Sequence, residues 1–308
     1  MMSDTCLKFN VRLFNRSFWA CMLRRQSGKL CLIGLFLLFG ATSAQAVCYG
    51  DQQRSSAPIV FSPVPQLPVP TLFAKWAPLL EVLGKETGQC FELLIKPTIP
   101  EFERLLLKGI PGLAYANPYH AVIAHKAKGY VPLLADGSTL LTGILVVKKG
   151  SEISRLDDLQ GRRVDFPAPN AFAASLLLRA HLQQLKINIQ PRYVKTHSNV
   201  YRGVILGEAI AGGGVNKTLD NEPEVVRQQL SVLYESPGYR SHPVIASPQL
   251  PPAIRKLILE RFLALSHTEA GRVLLAGVHL NEPIAVSYQQ DYRPLERLGL
   301  EKLVVLDD

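Results

Sequence analysis

The sequence predicts an α/β fold in two lobes, joined by a hinge of two crossing strands and facing each other across a cleft. Three observations lead there. First, short apolar runs alternate with helix-period segments over about 180 residues, the pattern of α/β units with mostly parallel sheets. Second, two long β runs, near 140–148 and 242–247, stand out as the only candidates for crossings between lobes. They divide the chain into a discontinuous lobe 1 (47–145 and 243–308) and an inserted lobe 2 (146–242). Third, three strand-to-helix junctions carry polar groups at their tips: Tyr119 with His120, Asn170, and His197 with Ser198. In open α/β sheets ligands bind beyond the carboxyl ends of the strands, so a clamp closing on a small solute follows from the layout.

The first 46 residues read as a leader. Met22 to Lys29 is a basic n-region, Leu30 to Phe39 an apolar h-region, and Ala44-Gln45-Ala46 a small-x-small cleavage pattern. The apolar run is too short for a spanning helix. A lipoprotein reading centred on Cys48 is weaker, because Val47 is not small. Cleavage after Ala46 leaves 262 residues, a length that fits two domains better than one. It also removes six Lys/Arg and one Asp, lowering the net charge from +9 to about +4. With no basic run interleaved with aromatics, nucleic acid is not an expected partner. Of five cysteines only Cys48 and Cys90 remain. In an oxidising compartment they suggest one disulfide from the new N-terminus to the segment after the first helix; two unpaired buried thiols are the alternative.

In order, Pro58–Ser62 is a strand and 63–70 a proline-rich loop. Thr71 caps a helix that Gly88 ends, with Leu72, Trp76, Leu79, Leu80 and Leu83 on its apolar face. Cys90–Lys96 is a strand, and Ile99–Lys108 a helix closed by Gly109. Gly112 to Ala116 runs into a helix through Asn117-Pro118, a cap followed by proline at the first helical position. Strands are expected at Tyr130–Leu134, Leu140–Lys148, Val164–Phe166, Pro191–Val194, Glu208–Val215, Leu230–Glu235 and Val244–Ala246. Short helices fall at 156–159 and 225–229, one capped by Ser198 reaches Gly207, and the C-terminal part turns helical at 253–265, 268–275 and 292–298.

The organising stretch is Arg163 to His181. A buried strand ends at Phe166, Pro167 and Pro169 forbid both a ladder and an early helix, and Asn170 caps a run of good helix formers. Such a junction aims free backbone N–H groups and the helix dipole at one point, an anion site.

The residues resemble the periplasmic substrate-binding proteins of ABC transporters for phosphonate, phosphite and phosphate, from Ile59 to about Leu275. The marks are Val64-Pro65-Gln66 before the helix at Trp76, Asn117-Pro118-Tyr119, the L-x-x-L-x-G-x-x-V-x-F run from Leu156 to Phe166, T-H-S-N-V at 196–200 and G-E-A-x-A-G-G-G at 207–214. The resemblance implies a type II periplasmic binding protein fold. It also implies a monomer without cofactor or metal that carries a small anion to an ABC permease or, alternatively, reports it to a membrane sensor kinase. The implied ligand set is Gln66, Tyr119, His120, Asn170, Ala171, Phe172, Ala173, His197 and Ser198. One departure matters. Better characterised members have a Ser/Thr-Ser-Gly cluster where this chain has Asn170-Ala-Phe-Ala-Ala-Ser175. Each lost hydroxyl removes a bond to a charged ligand worth about 1.5–3 kcal/mol. The family's Asp near Ile210 is absent as well, which leaves a larger or less charged solute packed against Phe172 open.

Catalysis finds little support. His197 with Ser198 or Ser175 is the best nucleophile–base pair on offer, and no G-x-S-x-G elbow or third carboxylate accompanies it. His120 and His125 are five apart, and the two mature cysteines 42 apart, so no metal site is expected. The glycine run at 212–214 lacks nucleotide-loop spacing.

Overall fold

The computed structural model describes residues 47–50 and 57–305; the leader expected at 1–46 lies outside them. Along the chain the strands are β1 (Tyr49–Gly50), β2 (Ile59–Pro63), β3 (Cys90–Leu93), β4 (Leu113–Tyr115), β5 (Val131–Asp136), β6 (Gly143–Lys148), β7 (Arg163–Phe166), β8 (Gln190–Tyr193), β9 (Ala211–Val215), β10 (Leu230–Glu235), β11 (Pro243–Ala246) and β12 (Pro283–Ala285). The main helices are α1 (Val69–Thr87), α2 (Ile99–Lys108), α3 (Pro118–Lys128), α4 (Leu178–Gln184), α5 (His197–Leu206), α6 (Asn216–Asp220), α7 (Glu224–Arg227), α8 (Pro252–Leu265) and α9 (Glu269–Gly277). A π turn, Phe172–Leu177, runs directly into α4.

These strands form two sheets, ordered β1-β3-β2-β4-β11-β5-β12 and β10-β6-β9-β7-β8. Within each, a parallel core accepts one antiparallel strand from the neighbouring half: β11 lies between β4 and β5, and β6 between β9 and β10. The expectation of mostly parallel sheets is therefore corrected. Only β2 with β3 and β4, and β7 with β8 and β9, pair in parallel. The crossings differ too. The paired parts of the long runs, β6 and β11, each belong to one sheet, and the chain passes between sheets through 137–142 and 236–242, which overlap the first residues of both runs. These two connections hold each other at one bridge, with Leu141 N–H donating to Tyr239 O (2.8 Å) and Tyr239 N–H to Leu141 O (3.0 Å).

The first core gathers Phe61, Trp76, Leu79, Phe91, Phe102, Tyr115 and Phe262 around the larger sheet. The smaller sheet is covered on both faces. Leu145 and Val147 of β6 enter one cluster with Leu159, Val164 and Phe166; Ile144 and Val146 enter another with Val200, Tyr201 and Val204. A strand buried on both sides must be apolar throughout, which is why Ile144–Val147 shows no alternation.

Local signals explain most helix ends. Thr98 accepts from Glu101 N–H and Glu101 reaches back to Thr98 N–H, a reciprocal cap, while Gly109 closes α2 at φ 75°. Three starts differ from expectation. Pro70 fits the first turn of a helix, so α1 begins at Val69 rather than after Thr71. Thr196, not Ser198, caps α5 by accepting from Asn199 N–H (3.1 Å). Asn170 caps nothing: the π turn starts after Ala171, whose carbonyl accepts from both Ser175 and Leu176 N–H (3.0 Å each).

Cys48 and Cys90 form a disulfide, Cα–Cα 5.3 Å, beside the antiparallel pairing of β1 on β3. Closing a 42-residue separation restricts the unfolded chain, an effect of about 2–4 kcal/mol. Reduction, or Cys90→Ser, is expected to lower Tm measurably in a scan with and without reductant; equal melting curves would refute the contribution.

Candidate functional site

The carboxyl ends of β2 and β4 in the larger sheet, and of β7 and β8 in the smaller one, lead into the segments that carry the predicted site residues. The β4–α3 and β7–π-turn junctions are in direct contact. Asn117 caps α3, accepting from His120 N–H at 2.8 Å, and its side-chain amide donates to Asn170 O at 3.4 Å.

Asn170 is fully buried and its amide is used entirely by the protein. Nδ2 donates to Glu103 Oε2 and to Val305 O, both at 2.8 Å, and Oδ1 accepts from Val305 N–H at 3.0 Å. Glu103, on α2, is 1% exposed. Its other oxygen accepts from His120 Nε2 at 3.0 Å. Because His120 Nδ1 accepts from Asn117 N–H (3.4 Å), the donor to Glu103 is the Nε2–H tautomer. A buried carboxylate so partnered is satisfied. Where the family resemblance implied ligand donors, this chain places an internal acid.

Tyr119 is 5% exposed and packs in the first core. Burial, with the carboxylates of Glu103 and Glu301 nearby, pushes its hydroxyl pKa upward, so it stays a neutral donor. Phe172 is 2% exposed and meets the Tyr239 ring edge-to-face at 5.8 Å. With Ala173, Leu176 and Leu177 it joins the first core, so the apolar replacement of the family's hydroxyl cluster carries lobe-to-lobe packing. The N–H groups of Phe172 and Ala173 open the turn, where helical N–H groups have no carbonyl within the helix; that of Ala171 donates to Ala168 O at 3.4 Å.

Gln66 follows β2, and its Nε2 donates to His242 Nε2 at 2.6 Å. His197 and Ser198 bond elsewhere: His197 Nδ1 to Thr218 Oγ1 (3.3 Å), and the Ser198 hydroxyl to the Glu222 carboxylate. Both partners follow β9 in the same sheet, so this junction is tied into its own lobe rather than to Tyr119 or Asn170. Burial lowers the His197 pKa to about 4, which makes the ring neutral at pH 7.

Four residues escaped sequence reasoning. Glu103 carried a signal: it shares a helix face with Ile99, Phe102 and Leu106. His242 stacks on Tyr115 at 5.6 Å. Asp136 ends β5 and Lys217 is the second residue of α6, and their side chains pair across the two sheets at 3.2 Å. Burial opposes the charged form of Asp136, yet bonds from Ser138, Glu282 N–H and Lys217 outweigh it and hold its pKa below the ordinary value. Among the described residues no group of three or more His, Cys, Asp and Glu is placed to hold a metal, and no helix is long and apolar enough to cross a membrane.

Burial first, then His120, His279 and Lys217, lowers the His242 pKa from 6.5 to about 3. A folded value below the unfolded one means stability is complete above about pH 6.5 and is lost as pH falls towards 3. Each unit costs at most about 1.4 kcal/mol. His242→Asn is expected to flatten the fall of Tm between pH 6.5 and 4; an unchanged slope would remove His242 from the acid response.

Known proteins share this architecture. A family described as "ABC transporter, phosphonate, periplasmic substrate-binding protein" matches residues 61–292. No curated protein matches by sequence. Among solved structures, the binding-protein component of an ABC phosphonate transporter from Pseudomonas aeruginosa is 16% identical with TM-score 0.68, covering 80% of this chain and 86% of its own. PhnD1 from Prochlorococcus marinus, solved with methylphosphonate, gives 16% identity and TM-score 0.68 over 79% of this chain and 97% of its own. The aliphatic sulphonate binding protein SsuA from Escherichia coli gives 15% and 0.57 over 80% and 92%. At these identities the likeness is one of fold.

Proposed function

Since this chain belongs to the periplasmic substrate-binding proteins of phosphonate ABC transporters, we propose that it closes on a small phosphonate-like oxyanion and delivers it to the membrane permease. The family is one of binding proteins rather than enzymes, and its partners are a small solute and an ABC permease. The observation that carries the reading is the meeting of two sheets at their strand ends, spanned by Asn117–Asn170 and Asp136–Lys217. Two lobes joined by two short connections, and meeting through such contacts and the packing of Phe172, form a clamp.

The finer proposals are these. The protein is exported and its leader cleaved after Ala46, and it works as a monomer without enzymatic activity. The ligand lies among Gln66, Tyr119, Phe172, Ala173 and the flanking cleft side chains. Asn170 and His120 support that site through Glu103, since their polar atoms are taken up within the protein. PhnD1 was solved with methylphosphonate, and that ligand is the first probe here. Calorimetric titration of the mature, oxidised protein with methylphosphonate, phosphate, phosphite, methanesulfonate and acetate tests the reading. Saturable binding of a phosphorus oxyanion, little weakened by salt, is expected for buried contacts. No heat with any of the five would overturn it.

A further inference from the structure

We infer that the turn Asn216–Lys217, at the carboxyl end of β9, is the specificity-determining element of the cleft, suited to an oxyanion that keeps one proton. This rests on the oxyanion reading above and names the ligand's protonation state.

Lys217 supplies the charge. Its ammonium is 41% exposed and touches Asp136 of the other sheet, itself 2% exposed. Asp136 does not depend on that contact. It also accepts from Ser138 Oγ (2.6 Å), Ser138 N–H (3.4 Å) and Glu282 N–H (2.9 Å). Lys217 can therefore turn to a ligand without stranding a buried acid. Its charge helps lower the pKa of His242 and His279, and His242 holds Gln66, a predicted ligand residue. The cation also answers the missing hydroxyl cluster at 170–175: one ion pair replaces several neutral donors.

Asn216 supplies the selection. Its Oδ1 is buried and has no hydrogen-bond partner, while its backbone N–H binds Thr142 O of the crossing segment at 3.3 Å. A buried acceptor without a donor is costly until something fills it. A hydrogen phosphonate brings an O–H beside its charged oxygens. A sulfonate of the same shape brings none and leaves Oδ1 unmet. Sites built to bond a hydroxyl reject analogues lacking it.

The test is calorimetry on mature, oxidised protein below the second ionisation of methylphosphonate, near pH 6, with methylphosphonate and methanesulfonate as probes. Wild type is expected to favour methylphosphonate by at least ~10-fold. Lys217→Met should weaken it by at least ~10-fold and Lys217→Arg by less than ~3-fold. Asp136→Asn, by freeing the ammonium, should tighten binding several-fold, whereas a purely structural ion pair would make both neutral substitutions weaken it. Asn216→Ala should bring the two probes within ~3-fold. Unchanged binding in Lys217→Met, weakening in Asp136→Asn, or an intact preference in Asn216→Ala overturns the inference alone. Wild type that binds neither probe overturns this inference, and if phosphate, phosphite and acetate also fail, the oxyanion reading with it. Melting curves of each variant separate lost binding from lost folding.

Discussion

Gly213→Ala is expected to be strongly damaging for a change of one methyl. A Cβ at this position would lie 2.2 Å from Ala174 O and 2.4 Å from the Phe166 ring. The first contact is backbone, and the second is a ring with no exposed surface, so neither neighbour can give way cheaply. Overpacking against unyielding neighbours reaches the upper end of its usual range, about 3 kcal/mol, which lowers Tm by roughly 6–12 °C in a protein of this size. The three glycines of β9 serve different neighbours. A Cβ at Gly212 would lie 2.4 Å from Val200 of α5, one at Gly213 would strike the π turn, and one at Gly214 would lie 2.3 Å from Tyr201. A Gly213→Ala protein melting within 2 °C of wild type would show that the π turn is not held against β9.

Glu103→Leu is the second large effect. It removes the acceptor shared by His120 Nε2 and Asn170 Nδ2 and leaves two buried donors facing an apolar group. Taking one partner from a buried charged network costs about 3–5 kcal/mol, or roughly 10 °C in Tm. The double variant Glu103→Leu with Asn170→Leu is expected to recover part of that loss, because it removes an orphaned donor together with its acceptor. If the single variant melts like wild type, the network does not join the lobes.

Sequence reasoning succeeded where the cause is local. Ile99–Lys108 is a helix with the predicted ends because Thr98, Glu101 and Gly109 act within a few residues of one another. Asn117-Pro118 starts α3 for the same reason. Strand direction was misjudged because pairing depends on where the chain returns: nothing in Pro243–Ala246 marks it as antiparallel to both neighbours. β1 and β12, of two and three residues, are too short to show a period. At the site, the disulfide and the contact between the first two junctions were legible. Glu103 was marked only by its apolar neighbours on α2, and the pairing of Asp136 with Lys217, 81 positions apart, leaves no trace in spacing. The Asn170 side chain was read as a cap because cap preference is a local statistic, whereas Val305 and Glu103 reach it from distant segments.

The place of β11 has a consequence for biogenesis. Val244 bonds Tyr115 on one side and Leu134 on the other, more than 100 positions earlier in the chain. As the polypeptide is synthesised, β4 and β5 exist long before the strand that separates them, and each presents unsatisfied backbone groups in the meantime. Such distant closure is slow, and its waiting states are prone to sticking to one another. Half-made larger sheets should therefore remain unfolded and translocation-ready until the smaller sheet is complete, and a chain truncated before Pro243 should aggregate rather than persist as a free-standing first lobe.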